Sequence, residues 1–119
     1  MQTPSSETRM QLSDLQASAL QLNTLYEQLE VKRHGRVWTT EELALGFMGD
    51  VGDLAKLIQA RAGIRTIDDW QTKLGHELSD CLWSILVLAH KCGIDLEAEF
   101  ARNLRELGEY VSNELDQGP

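Results

Sequence analysis

Both prolines of this chain stand at its ends, Pro4 and Pro119, so no pyrrolidine ring interrupts a helix anywhere between them. Leucine occurs nineteen times while valine and isoleucine together occur ten times, a balance that favours helix over strand. Four helical patterns follow. The first runs from about Glu7 to Arg33, with Leu12, Leu15, Ala19, Leu22, Tyr26 and Leu29 at alternating spacings of three and four, and His34-Gly35-Arg36 ends it. The second opens on a capping box, Thr39 with Glu42 three residues later, and continues to about Arg61 before Gly63. The third begins near Asp68-Asp69 and ends at Lys91, where Gly93 supplies a stop. Asp95 caps the fourth, which carries Leu96, Phe100, Leu104, Leu107 and Val111 on one face. Short connections between such helices predict an all-α, antiparallel four-helix bundle.

A length of 119 residues predicts one domain, residues 1–119, with tails expected to be disordered at about 1–6 and 116–119. A compact monomer of 13.4 kDa exposes roughly 6,500 Å² and buries about two-thirds of its unfolded surface, enough for a single thin core. Eleven Lys/Arg against nineteen Asp/Glu give a net charge of −8, which argues against duplex nucleic acid or an anionic membrane as the main partner. Any anionic substrate then needs a cation to bridge it. The longest apolar run, Cys81 to Ala89, falls far short of the roughly 18 residues of a membrane span. The N-terminus lacks a signal-peptide core. Cys81 and Cys92 fall in one helical pattern about 16 Å apart, too far for a disulfide, so a cytoplasmic location is expected.

Projected at 100° per residue, the third helix is apolar nearly all round. Leu74, Cys81, Ile85 and Leu88 form one face, and Leu78, Leu82, Leu86 and Ala89 another. The one polar strip is Lys73, Glu77, Asp80 and Ser84. In the second helix Leu43, Phe47, Val51, Leu54 and Ile58 make the main apolar face, with Asp50 and Asp53 at its edge and Leu45 and Met48 on the far side. Helices of this kind are buried on more than one side. If the two pack antiparallel, four carboxylates face one cleft. Carboxylates three apart are common on solvated faces, but beside apolar surface they repel one another and tend to take up protons. A hard divalent cation, Mg²⁺ or Mn²⁺, relieves that repulsion and can bring a polyphosphate to an acidic protein.

Other residues carry weaker signals. Lys56, one turn after Asp53, and Lys73, one turn before Glu77, are placed to touch phosphate or to partner the acids. Trp38 can stack on a base or staple its loop, whereas Trp70 and Trp83 read as packing residues. The basic cluster Lys32, Arg33, His34 and Arg36 suits a helix C-terminus. The histidines lack metal-ligand spacing, and Cys81 sits on an apolar face. Gly46, Gly49 and Gly52, three apart within one helix, predict close approach of another helix or of substrate.

Asp50-Val51-Gly52-Asp53-Leu54 followed by Glu77-Leu78-Ser79-Asp80 resembles the MazG-type nucleoside triphosphate pyrophosphohydrolases of the all-α NTP pyrophosphatase superfamily, whose pattern is E-x-x-E, a spacer, then E-x-x-D. Trp38-Thr39, Ala55-Lys56, Cys81-Leu82-Trp83 and Gly93-Ile94-Asp95-Leu96 extend the likeness over about Leu22 to Asn103. The resemblance implies Mg²⁺-dependent hydrolysis of nucleoside triphosphates, deoxy or non-standard ones included, to monophosphate and pyrophosphate. It implies Asp50, Asp53, Glu77 and Asp80 as catalytic metal ligands, and Lys56, Lys73, Trp38 and Asn103 as substrate contacts. It also implies a dimer or tetramer. Three departures stand out: both helix-two glutamates are aspartate here, Gly49 takes a position acidic in some members, and a Lys/Asn pair of the fourth helix is Asn103 and Leu107. These departures motivate an alternative of another class, a diverged, non-catalytic helical protein that binds nucleotide or a protein partner. The related phosphoribosyl-ATP pyrophosphohydrolases are a third reading.

Overall fold

A computed structural model describes residues 11–118, so the expected start of the first helix at Glu7 and the expected tail at 1–6 lie outside the described residues. Within them the chain is all-helical: α1 Leu12–His34, α2 Thr40–Arg61, α3 Trp70–Lys91 and α4 Leu96–Asp116, with no strand. No helix among the described residues is long and apolar enough to cross a membrane.

The ends follow local chemistry. Thr39 accepts from the Glu42 N–H at 3.1 Å while the Glu42 carboxylate accepts from the Thr39 N–H at 3.0 Å, the expected capping box. Asp95 caps α4 through the Ala98 N–H at 3.1 Å. Gly93 (φ 69) turns the chain after α3 and lets the Ile94 N–H reach the Ala89 carbonyl at 2.9 Å. The start of α3 departs from expectation. Asp69 has left-handed backbone (φ 54), and its side chain accepts nothing from the first turn.

Cavity linings pair the first half of α2 with the second half of α3, and the reverse at the other end, so the two run antiparallel as expected. α1 lies across the second half of α3. The Gln16 amide donates to the Leu86 carbonyl at 3.3 Å, and Lys91 Nζ donates to Glu27 at 2.9 Å. Buried Asn23 also donates to Glu27 at 2.9 Å. These bonds, the one from Lys91 foremost, hold the Glu27 carboxyl below its usual range despite partial desolvation. Tyr26 meets Trp83 edge to face, with ring centroids 5.6 Å apart. The core is thin, as expected: Ala19, Leu57, Ala60, Cys81, Leu86, Val87 and Ala89. Both cysteines are free, Cys81 buried and Cys92 exposed.

Two details revise the expected faces. The inner stripe of α2 is Leu43, Phe47, Asp50, Leu54 and Leu57, whereas Val51 and Ile58 are exposed. On α3 the inward face carries Cys81, Ser84 and Val87, while Leu78, Leu82 and Ile85 face outward. Asp50, Glu77 and Asp80 are therefore half-buried, whereas Asp53 is exposed. Leu45 and Met48 are 68% and 69% exposed within one chain. No residue of α4 is buried, although Phe100, Leu104, Leu107 and Val111 align on one face. The chain exposes 9352 Å², well above the roughly 6,500 Å² of a compact monomer of its mass.

Candidate metal centre and flanking cavities

Asp50 and Asp53 come from the middle of α2 and Glu77 from the first half of α3. Antiparallel packing brings one oxygen from each carboxylate within 4.8 Å of the others. Glu77 Oε2 is buried without a hydrogen-bond partner. A buried, unpartnered carboxylate oxygen is costly unless it binds a proton or a cation. Burial, reinforced by repulsion from Asp80 and Asp53, raises the Asp50 carboxyl above its usual range. Burial, with repulsion from Asp50, Asp80 and Asp53, raises Glu77 likewise. The same desolvation, with the field of these acids, pushes up the Cys81 thiol and makes it a poor nucleophile. An all-oxygen, triply anionic cluster with one idle oxygen matches the donor set of a hard divalent cation.

Asp80, expected as the fourth ligand, lies outside this trio. Its carboxylate sits 3.3 Å from His76 Nε2, one turn back on α3, and lines a different cavity of about 300 Å³ with Asp50, Trp83, Tyr26, Leu22 and Glu30. Glu30 is a residue the sequence pattern does not single out. It also accepts from the Trp38 N–H at 2.7 Å and so fixes the loop before α2. Only the tertiary crossing of α1 over α3 brings it to Asp50 and Asp80, and no local spacing encodes that.

Two further cavities flank the trio along the α2–α3 pair. One of about 230 Å³ is lined by Trp38, Phe47, Trp83, Gly46, Ser84 and Asp50, among others. Trp83, expected as plain packing, has its indole N–H buried without an acceptor. The other, about 420 Å³, is lined by Lys56, Lys73, His76 and Thr72 together with Asp53 and Glu77. The structure thus brings Trp38, Lys56 and Lys73 to the edge of the carboxylate trio. Asn103 is not brought there: it lines an α4 cavity with Phe100, Glu99 and Glu106. Of the basic cluster, Arg36 is committed to Glu42 in a bidentate pair at 2.7 and 2.9 Å. Arg36 and the Thr39 N–H hold Glu42 at about 2. The helix glycines do not serve close packing within one chain, since a Cβ on Gly46, Gly49 or Gly52 meets nothing within 4 Å.

Comparisons with known protein families, with curated proteins and with solved structures find no match to this chain.

Proposed function

We propose that this chain is a metal-dependent nucleoside triphosphate pyrophosphohydrolase, as its MazG-like motif implies. The observation that carries the reading is the convergence of Asp50, Asp53 and Glu77 with an unpartnered Glu77 oxygen. Asp50, Asp53 and Glu77 would hold Mg²⁺ or Mn²⁺, which supplies Lewis-acid polarisation of a phosphoryl oxygen and a lowered pKa for bound water. The protein's own part is positioning. The cavity beside Asp50, lined by Trp38, Phe47 and Trp83, would suit a planar base. Asp50 and Glu77, set between α2 and α3, would hold the cation beside that cavity.

Bundle closure and self-association belong to the same reading. The uncovered stripe of α4 and the outward Leu78, Leu82 and Ile85 support a homo-oligomer, dimer or tetramer, in which a second copy completes the bundle. The test is incubation with a panel of standard and non-standard nucleoside triphosphates in Mg²⁺ or Mn²⁺, scoring pyrophosphate against single phosphate. Glu77→Gln is expected to lower kcat at least a hundredfold with helicity unchanged. If a folded wild type releases no pyrophosphate from any of them, the enzymatic reading fails. One observation favours the non-catalytic alternative, namely the engagement of Asp80 by His76 instead of the trio. Under that alternative the chain binds nucleotide or a protein without turnover, and Asp53→Asn leaves binding intact.

A further inference from the structure

Ser84 is a polar residue in an apolar place. It stands on the inward face of α3 between Cys81 and Val87 and is 8% exposed. A helical serine or threonine can bond back to the carbonyl four residues earlier, as Thr24 does to Leu20 at 3.1 Å. Among the described residues the Ser84 hydroxyl makes neither that bond nor any other side-chain hydrogen bond. Yet it is not sealed in. The fully buried polar atoms without a partner are Glu77 Oε2 and Trp83 Nε1, and Ser84 Oγ is not one of them. The hydroxyl is reached from the 230 Å³ cavity that Ser84 lines with Trp38, Gly46, Phe47, Asp50 and Trp83. Buried polar groups in folded proteins are bonded, so a hydroxyl left open onto a cavity points to a partner within it.

The other polar groups of this cavity are committed or closed off. Glu42 accepts from Arg36 at 2.7 and 2.9 Å and from the Thr39 N–H at 3.0 Å. The Trp83 indole N–H is sealed, and Asp50 belongs to the carboxylate trio. Ser84 is the group left to meet a ligand, and a hydroxyl can both donate and accept. Most of the remaining lining is aromatic or aliphatic, with Leu43 and Val87 beside the three rings. Such surface takes a flat, uncharged ring, and the hydroxyl sets a condition on that ring's edge. A ligand that leaves the hydroxyl unpaired forfeits the cost of desolvating it, and sites built this way discriminate by that penalty.

We propose that Ser84 is a specificity-determining residue, whose hydroxyl hydrogen-bonds the heteroatom edge of a nucleobase held in this cavity. The inference rests on the nucleotide reading of the cavity and deepens it by naming the group that tells one base from another. It does not require hydrolysis. Gly46 gives a second handle on the same cavity. It lines the cavity from α2, and a Cβ there meets nothing within 4 Å, so a longer side chain extends into the space a ligand would take.

The test titrates adenosine, guanosine, cytidine and uridine, which have no phosphate to cleave, into the full isotope-labelled chain in EDTA. The indole signals of Trp38 and Trp83 report binding by NMR. Ser84→Ala is expected to weaken the tightest-bound nucleoside about fivefold, the worth of one neutral hydrogen bond, and to narrow the spread among the four. Gly46→Leu is expected to weaken it at least tenfold. Both changes introduce better helix formers, and circular dichroism checks that the fold is kept. No binding of any of the four to the wild type overturns the proposal. So does binding of the tightest nucleoside that stays within twofold of wild type in Ser84→Ala or in Gly46→Leu. Ser84-dependent nucleoside binding in a chain that releases no pyrophosphate leaves the site standing while the enzymatic reading falls. Pyrophosphate release with Ser84-independent nucleoside binding overturns the role of Ser84 alone.

Discussion

At Asp50 and Glu77 the sign of the pKa shift sets how the metal-free protein responds to pH. Burial raises both above their ordinary values of 3.8 and 4.5. A carboxyl raised on folding contributes stability that is complete below its unfolded pKa and is lost as pH climbs through the folded one. Glu42 works in the opposite sense. Held at about 2, it contributes above its ordinary 4.5, and that contribution is lost as pH falls toward 2. Around neutrality the raised Asp50 and Glu77 carboxyls therefore work against folding, while Glu42 favours it. Asp50→Asn should therefore raise the melting temperature in EDTA at pH 7 by roughly 2–4 °C. On the proposed metal site, it should also shrink any rise in melting temperature on adding Mg²⁺, read by circular dichroism melts. An unchanged or lower melting temperature in EDTA would count against a strained trio. These acids are legible in the sequence because carboxylates three apart share a helix face. The diversion of Asp80 is less so, since a histidine one turn back competes for it through an ion pair that only the folded rotamers reveal.

The helices and most of their caps can be read from Thr39, Glu42, Asp95 and Gly93, because capping is local chemistry. The rotation of α2 about its axis cannot. Leu43, Phe47 and Leu54 belong equally to a stripe through Val51 and Ile58 and to one through Asp50 and Leu57. Hydropathy favours the first, and packing against α3 takes the second. A helix apolar on two sides leaves that choice to its neighbours. The expected close approach at the α2 glycines is likewise not met within the chain. Gly49→Ala should then stabilise α2 by about 0.5–1 kcal/mol, as the backbone-entropy cost of glycine is removed. Urea denaturation at low protein concentration measures it. A loss of stability instead would place another helix over that glycine.

Across the whole molecule, the exposed area and the bare stripe of α4 set the expectations. The radius of gyration is 18.4 Å, against about 13.5 Å for a compact chain of this length. Composition alone suggested a thin core, but it could not say that α4 would stay outside it, since an amphipathic stripe looks the same whichever surface covers it. Sedimentation equilibrium should give a multiple of 13.4 kDa, and the pair Leu104→Glu with Leu107→Glu should reduce it to one chain. A monomer in the wild type would assign α4 to a different partner. The lone α4 also makes the amount of protein a thermodynamic variable. Most of a helix's stability in a protein comes from packing of its amphipathic face, and α4 buries no residue within one chain. If a second copy shelters α4 in a dimer, each tenfold dilution removes about 1.4 kcal/mol from the folded state by mass action. Scarcity of the chain would then fray its C-terminal helix first, while the α2–α3 hairpin that carries the carboxylates keeps its own packing.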